Sequence, residues 1–225
     1  MSAVSIHEIF TSIQTEGPYA GCPAVFVRTH GCPVGCSFCD TDQKGALNEV
    51  ADTERVAKEV QDILNKYSGI RLIVLTGGEP LAQKNFTDLL KALLETEVTV
   101  QVETSGFCTR EVTEEDIEVF QNAAWVISPK LGADKPYRLP AWLKEMPMVY
   151  LKMLYNEETG DYDREGVLSF IAANRDFTCG IRDIFVQPLL LDDKDDAKVA
   201  QECCDLCILS GLRMSVQYHK LFNFA

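Results

Sequence analysis

At 225 residues, 46% apolar and 24% charged, the chain has the balance of a globular protein and enough length to bury a core without staples. Its 34 acidic side chains against 21 Lys and Arg leave a net charge of −13, which argues against nucleic-acid binding and favours a small-molecule ligand. No apolar run approaches the roughly 20 residues that span a bilayer. The N-terminal Met-Ser-Ala-Val-Ser-Ile-His-Glu lacks the basic-then-apolar pattern of an export signal, so a cytoplasmic protein with one domain over residues 1–225 is expected.

Residues 5–19 read as a short entry segment ending in a Gly-Pro turn. Ala24 to Thr29 reads as a strand that runs into a cysteine-rich loop. Asp52 to Tyr67 carries Val56, Ala57, Val60, Ile63 and Leu64 at helical period, with Gly69 as a stop. Arg71 to Leu75 is a strand leading into Thr76-Gly-Gly-Glu-Pro80. Then the alternation repeats: helix 85–95, strand Val98 to Glu103 before Thr104-Ser-Gly106, helix 113–121, strand Ala124 to Ile127 before Ser128-Pro-Lys130. A helical turn over 139–145 precedes strand Met148 to Leu154. Helix 162–174, strand Asp183 to Val186 before Gln187-Pro188, helix 195–209 and strand Arg213 to Gln217 complete the chain.

Alternating strands and helices predict a parallel sheet with helices outside it. Seven strands are too few for a closed eightfold barrel, so the expected fold is α/β, a partial (incomplete) β/α barrel. The motif-bearing segments follow the C-terminal ends of strands, which is the face where such sheets bind ligands.

The chemistry concentrates in Cys32-Pro-Val-Gly-Cys36-Ser-Phe-Cys39-Asp40-Thr41. Three thiols spaced CxxxCxxC can converge in a loop loosened by Pro33 and Gly35. Soft thiolates select zinc, copper(I) or iron–sulfur clusters. A structural zinc site wants four protein ligands, whereas on a four-iron cluster three thiolates leave one iron open. A zinc knuckle using Cys22 or His30 as fourth ligand, or three buried thiols, would be the plainer alternatives. Cys203, Cys204 and Cys207 share one predicted helix, which cannot turn three sulfurs and a fourth ligand onto one metal. They read as small buried hydrophobes, as do Cys22, Cys108 and Cys179. His7 reads as a surface residue. Arg28 shares an apolar strand face with Ala24 and Phe26, where a guanidinium needs an anion: an internal carboxylate, or a substrate carboxylate held by its fork.

The CxxxCxxC loop ahead of Gly77-Gly-Glu-Pro80 resembles the radical S-adenosylmethionine (SAM) superfamily. With residues 12–41, LTGGEP (75–80), QVETSG (101–106), VISPK (126–130), VQP (186–188) and RMSVQYHK (213–220), the chain resembles the 7-carboxy-7-deazaguanine synthase family of the queuosine pathway. That resemblance implies that Cys32, Cys36 and Cys39 ligate a [4Fe–4S] cluster. It implies that Phe38, Cys39, Asp40, Gly77, Gly78, Glu79, Gly106, Ser128, Pro129, Lys130 and Gln187 contact SAM. Ile13, Gln14, Thr15, Glu16, Arg28 and Thr104 are implied to hold a pterin substrate, and Thr41 to coordinate Mg²⁺. An external flavodoxin- or ferredoxin-like electron donor and a homodimer are implied as well. The family segment commonly reads Gln-Gly-Glu-Gly, whereas this chain has Gln14-Thr15-Glu16-Gly17, so Thr15 adds a side chain where backbone is expected to meet substrate. Glycyl-radical activases share the cysteine motif but give no reason for Gln14, Glu16 and Arg28 together.

Overall fold

The computed structural model describes residues 2–39, 41, 49–108, 110–131, 138–178, 183–191 and 196–222. Nine strands form one sheet: β1 (Ala3–Ile13), β2 (Pro23–Thr29), β3 (Glu49–Asp52), β4 (Leu72–Gly77), β5 (Thr99–Thr104), β6 (Ala124–Ile127), β7 (Val149–Tyr155), β8 (Asp183–Pro188) and β9 (Arg213–Met214). Their order is β3-β1-β2-β4-β5-β6-β7-β8-β9, so the sheet is open. From β2 to β9 every pairing is parallel, whereas β1 runs antiparallel to both β2 and β3. The incomplete β/α barrel expected from the sequence is the architecture observed.

Two strands exceed the seven expected. The entry segment is β1, an eleven-residue strand whose alternation breaks at His7, because the register slips between Ile6↔Thr29 and Glu8↔Arg28. A bulge of that kind places two residues opposite one and erases the period of two. The second, β3, is four residues long and pairs only with β1. His7 is half-buried rather than superficial, stacked on His30 with ring centroids 5.8 Å apart.

The helices are α1 (Thr53–Lys66), α2 (Phe86–Leu94), α3 (Glu114–Phe120), α4 (Arg164–Ala173), α5 (Arg175–Thr178), α6 (Asp196–Ser210) and α7 (Tyr218–Phe222). α1 buries Val56, Val60 and Leu64, one stripe at spacing four, as its sequence period requires. Thr113 and Asp116 form a reciprocal capping box that starts α3. Cys203 and Cys207 lie buried on α6 with Leu206, as small core residues, whereas Cys108 and Cys204 are only half-buried and Cys22, in the turn before β2, is exposed rather than buried. The final strand is shorter than expected: it ends at Met214, and 218–222 turn into α7. Among the described residues no helix is long and apolar enough to cross a membrane.

Period-two alternation gives the sheet two different faces. One set, including Val25, Val27, Ile73, Leu75, Val102, Trp125, Leu151 and Val186, packs with the helices into the main core. The opposite set is apolar at first, with Ala24, Leu72, Val74, Ala124, Val126, Tyr150 and Phe185. Further along the same face it becomes polar: Arg28, Thr76, Glu103, Lys152 and Gln187 all line one cavity. Arg28 pairs in register with Thr76, and Leu75 with Val102, so Glu103 follows on the next strand at the same level.

Candidate active site

The cavity measures about 1230 Å³ and lies at the C-terminal ends of the parallel strands. The cysteine loop after β2 forms one wall, with Cys32, Cys36 and Cys39 all lining it. Cys39 N–H donates to the Cys36 carbonyl at 3.4 Å, and the Cys39 thiol to the Thr41 carbonyl at 3.4 Å. Burial raises the Cys36 pKa, Lys130 opposes that, and charge on Cys32 or Cys39 would raise it further. Three thiolates in one loop therefore repel one another and need a cationic centre, as the irons of a cluster provide. Among the described residues no three His, Cys, Asp or Glu side chains are arranged to share one ion. A four-iron cube does not ask for that, because each thiolate bonds a different iron.

Gly77 sets the next wall. A Cβ there would fall far inside contact with Thr29 Oγ1, N and O, and its φ is 150°, so only glycine lets β4 end this close to β2. Gly78 N–H then donates to the Thr29 carbonyl and Glu79 N–H to the Gly31 carbonyl, both at 3.0 Å, tying this turn to the start of the cysteine loop. The Glu79 carboxylate is buried. Oε1 accepts from Leu81 N–H at 3.1 Å and Thr104 Oγ1 at 2.5 Å, and Oε2 from Ser105 N–H at 2.8 Å and from Ser105 Oγ. Those four bonds use the four acceptor sites a carboxylate has. Burial pushes its pKa up and the bonds from Ser105, Thr104 and Leu81 oppose this. The side chain staples β4 to β5, leaving backbone as this turn's offering to a ligand.

The facing wall is a charged network. Lys152 on β7 has a side chain 7% exposed and meets Glu16 Oε2 at 2.5 Å and Glu103 Oε2 at 3.9 Å. Gln217 Nε2 donates to Glu16 Oε1 at 2.9 Å, while Gln14 Nε2 and Gln101 Nε2 donate to Glu103 Oε1 at 2.9 and 2.8 Å. Burial would raise the Glu16 pKa, but the Lys152 charge and hydrogen bonds from Lys152 and Gln217 outweigh it and hold the carboxyl at about 2. The cluster carries two carboxylates on one ammonium, an excess negative charge suited to a ligand edge rich in N–H donors. Arg28 stands apart from it. Its Nε donates to Glu8 Oε1 at 2.8 Å on the neighbouring β1, and Nη1 donates to Thr41 Oγ1 at 3.1 Å. The anion that Arg28 needs is thus first an internal one, though the guanidinium still lines the cavity.

Most residues singled out by sequence gather here: Ile13, Gln14, Thr15, Glu16, Arg28, Phe38, Thr41, Gly77, Gly78, Glu79, Thr104, Ser128, Lys130 and Gln187 line the cavity with the three cysteines. Gly106 and Pro129 are not in its lining, and Asp40 lies outside the described residues. Glu103, Lys152, Gln217 and His219 escaped sequence reasoning. Glu103 and Lys152 sit inside apolar strands, and that was the available signal: a charge at an inward position of a buried strand needs a partner.

Comparison with known proteins agrees with this geometry. The Radical SAM superfamily profile matches residues 26–191. The 7-carboxy-7-deazaguanine synthase of Rickettsia prowazekii is 30% identical over 228 residues, covering 98% of this chain and 88% of that one. Its namesake from Escherichia coli K12 is 31% identical over 240 residues, covering 98% of both. This chain belongs to the 7-carboxy-7-deazaguanine synthase family of radical SAM enzymes. The crystal structure of QueE from Escherichia coli superposes with a TM-score of 0.66 at 26% identity, covering 96% of this chain and 94% of that one. Membership of the superfamily implies a [4Fe–4S] cluster and SAM, which suits a cavity with three cysteines on one wall and a polar wall facing them.

Proposed function

We propose that this enzyme converts 6-carboxy-5,6,7,8-tetrahydropterin into 7-carboxy-7-deazaguanine with release of ammonia, within queuosine biosynthesis. One observation carries the reading: a single cavity joins the cysteine loop to a cationic fork at Arg28 and to an excess-carboxylate cluster at Glu16, Glu103 and Lys152. A carboxylated pterin presents the complementary pair, a carboxylate and an aminopyrimidinone edge with adjacent N–H donors. A reduced cluster held by Cys32, Cys36 and Cys39 would, with SAM bound beside it, supply the radical chemistry that activates the carbon bearing the carboxylate.

The chain's own residues bind and orient. Cys32, Cys36 and Cys39 hold the cluster, while Phe38, the Gly77–Glu79 turn, Ser128, Lys130 and Gln187 form the SAM side of the cavity; the family resemblance adds Asp40, Gly106 and Pro129. Arg28 takes the substrate carboxylate. Glu16, or Glu103 beside it, accepts the pyrimidine edge, with Ile13 to Thr15 and Thr104 bounding the ring. Thr41 supplies an oxygen to Mg²⁺, a hard ion that such a hydroxyl with substrate oxygens and water would suit. Its hydroxyl accepts from Arg28 in the structure, so the ion and the substrate carboxylate would assemble at one corner. A flavodoxin- or ferredoxin-like donor, a homodimer and a cytoplasmic setting complete the proposal.

The test is anaerobic reconstitution, reduction, and incubation with SAM and the carboxytetrahydropterin. A deazapurine product with unconsumed SAM supports the reading. A brown, cluster-bearing protein that cleaves SAM without forming a deazapurine overturns it. Thr41→Val should keep cluster and SAM binding while losing magnesium stimulation; unchanged metal dependence removes Thr41 from the metal site.

A further inference from the structure

The turn after β1 and the segment after β9 are zipped together residue by residue. Gly17 N–H donates to Ser215 Oγ at 3.0 Å, Gln217 Nε2 donates to Glu16 Oε1 at 2.9 Å, and Thr15 Oγ1 lies 2.8 Å from His219 Nδ1. Consecutive residues 17, 16 and 15 thus meet alternate residues 215, 217 and 219. The turn itself is closed by backbone bonds: Gln14 N–H donates to the Cys22 carbonyl at 2.8 Å, and Gly21 N–H to the Gln14 carbonyl at 2.7 Å.

We propose that Thr15 is a positioning residue of the substrate cavity, whose hydroxyl fixes the ring of His219 so that its Nε2–H faces the ligand. His219 lies on α7, a helix of five residues, too short to hold a side chain in place by itself. Its ties to the body are therefore what set the ring, and the bond to Thr15 is made by the ring itself. Thr15 is 5% exposed, and its hydroxyl has this single side-chain partner among the described residues. A buried O–H left without an acceptor costs more than an oxygen lone pair left unfilled, so the hydroxyl donates to Nδ1. With Nδ1 accepting, the neutral ring carries its proton on Nε2. His219 lines the cavity, as do Glu16 and Lys152, and with Nδ1 held by Thr15 the Nε2–H is the ring's remaining polar group for an acceptor atom on the ligand. The threonine at which this chain departs from the Gln-Gly-Glu-Gly pattern turns its hydroxyl to the histidine.

The functional half of this inference rests on the proposed pterin substrate, and the test separates the two. The chain has three histidines, so its imidazole ¹H–¹⁵N correlations are assignable with His219→Gln as the reference. They are recorded on the holoenzyme with its cluster in the oxidised, spin-paired state, at a pH where imidazoles are neutral. The wild-type His219 should show the Nε2–H tautomer alone, Thr15→Val a mixture, and Thr15→Ser the single tautomer again. Carboxytetrahydropterin affinity, measured with SAM and no reductant so that nothing turns over, should fall about tenfold in Thr15→Val and recover in Thr15→Ser. A single Nε2–H tautomer in Thr15→Val, with an unchanged melting temperature, overturns the positioning role. A mixed tautomer with unaltered pterin affinity overturns the role of His219 in binding. A wild-type protein that shows one tautomer but does not bind the pterin overturns the substrate assignment instead.

Discussion

Replacing Lys152 by Met removes the ammonium shared by Glu16 and Glu103 while keeping an unbranched apolar side chain of similar reach. In the wild-type protein Lys152 and Glu16 are 7% and 12% exposed along their side chains, so water screens their pairing little. Holding the Glu16 carboxyl at about 2 instead of its ordinary 4.5 corresponds to about 3 kcal/mol of stability. Because the folded pKa is depressed, that stability is present in full above 4.5 and is lost as pH falls towards 2. Without Lys152 the desolvation of Glu16 goes unopposed, and losing one partner of a buried pair costs about 3–5 kcal/mol. For a chain of this length that lowers the melting temperature by roughly 6–20 °C at neutral pH. The gap to wild type should narrow in acid, where the wild-type protein loses its advantage. Lys152→Met combined with Glu16→Gln should recover part of the loss, since no uncompensated carboxylate then remains at position 16. Thermal melts of the three proteins from neutral to acid pH measure this. A Lys152→Met protein as stable as wild type at neutral pH, or a double variant that melts below the single one, would refute the reasoning.

Three further outcomes follow from the geometry. Cys32→Ala, Cys36→Ala and Cys39→Ala should each abolish the four-iron absorbance, whereas Cys203→Ala and Cys207→Ala should keep the iron and lose only stability; equal loss of iron in both groups contradicts the assignment. Arg28→Ala should change stability by less than about 1 kcal/mol, because the Arg28–Glu8 pair is 22% and 47% exposed, yet weaken carboxytetrahydropterin binding severely with SAM binding intact. A pterin lacking the carboxylate should bind wild type and Arg28→Ala alike, read by titration calorimetry. Gly77→Ala should fold poorly or lose cluster binding, since its Cβ collides with Thr29 backbone in β2; a protein with wild-type melting and cluster content would show that β4 can move aside.

Sequence reasoning reached the parallel sheet and its ligand-binding end because both rest on local signals. Apolar runs of strand length, helical stripes such as Val56–Val60–Leu64, and the glycine-bearing turns after β4 and β5 are all written within a few residues of one another. It missed β1 because the slip at His7 breaks the alternation that would announce a strand. It missed the end of β9 because whether 215–217 continue a strand depends on what they meet, and they meet the 15–17 turn.

The cysteine spacing, with the segments that resemble a known family, sufficed to name the cofactor chemistry, because three thiols within eight residues need no tertiary contact to be recognised. The opposite wall could not be read that way. Glu16, Glu103, Lys152 and Gln217 are spread over 201 positions and come together only because β1, β5, β7 and the C-terminal segment converge on one cavity. The same holds for Glu79, whose carboxylate the linear motif offers to a ligand and the fold spends on Thr104 and Ser105. A sequence specifies which groups are available; which of them remain free for a ligand is decided by burial, since a buried charge takes whatever partner the packing brings within reach.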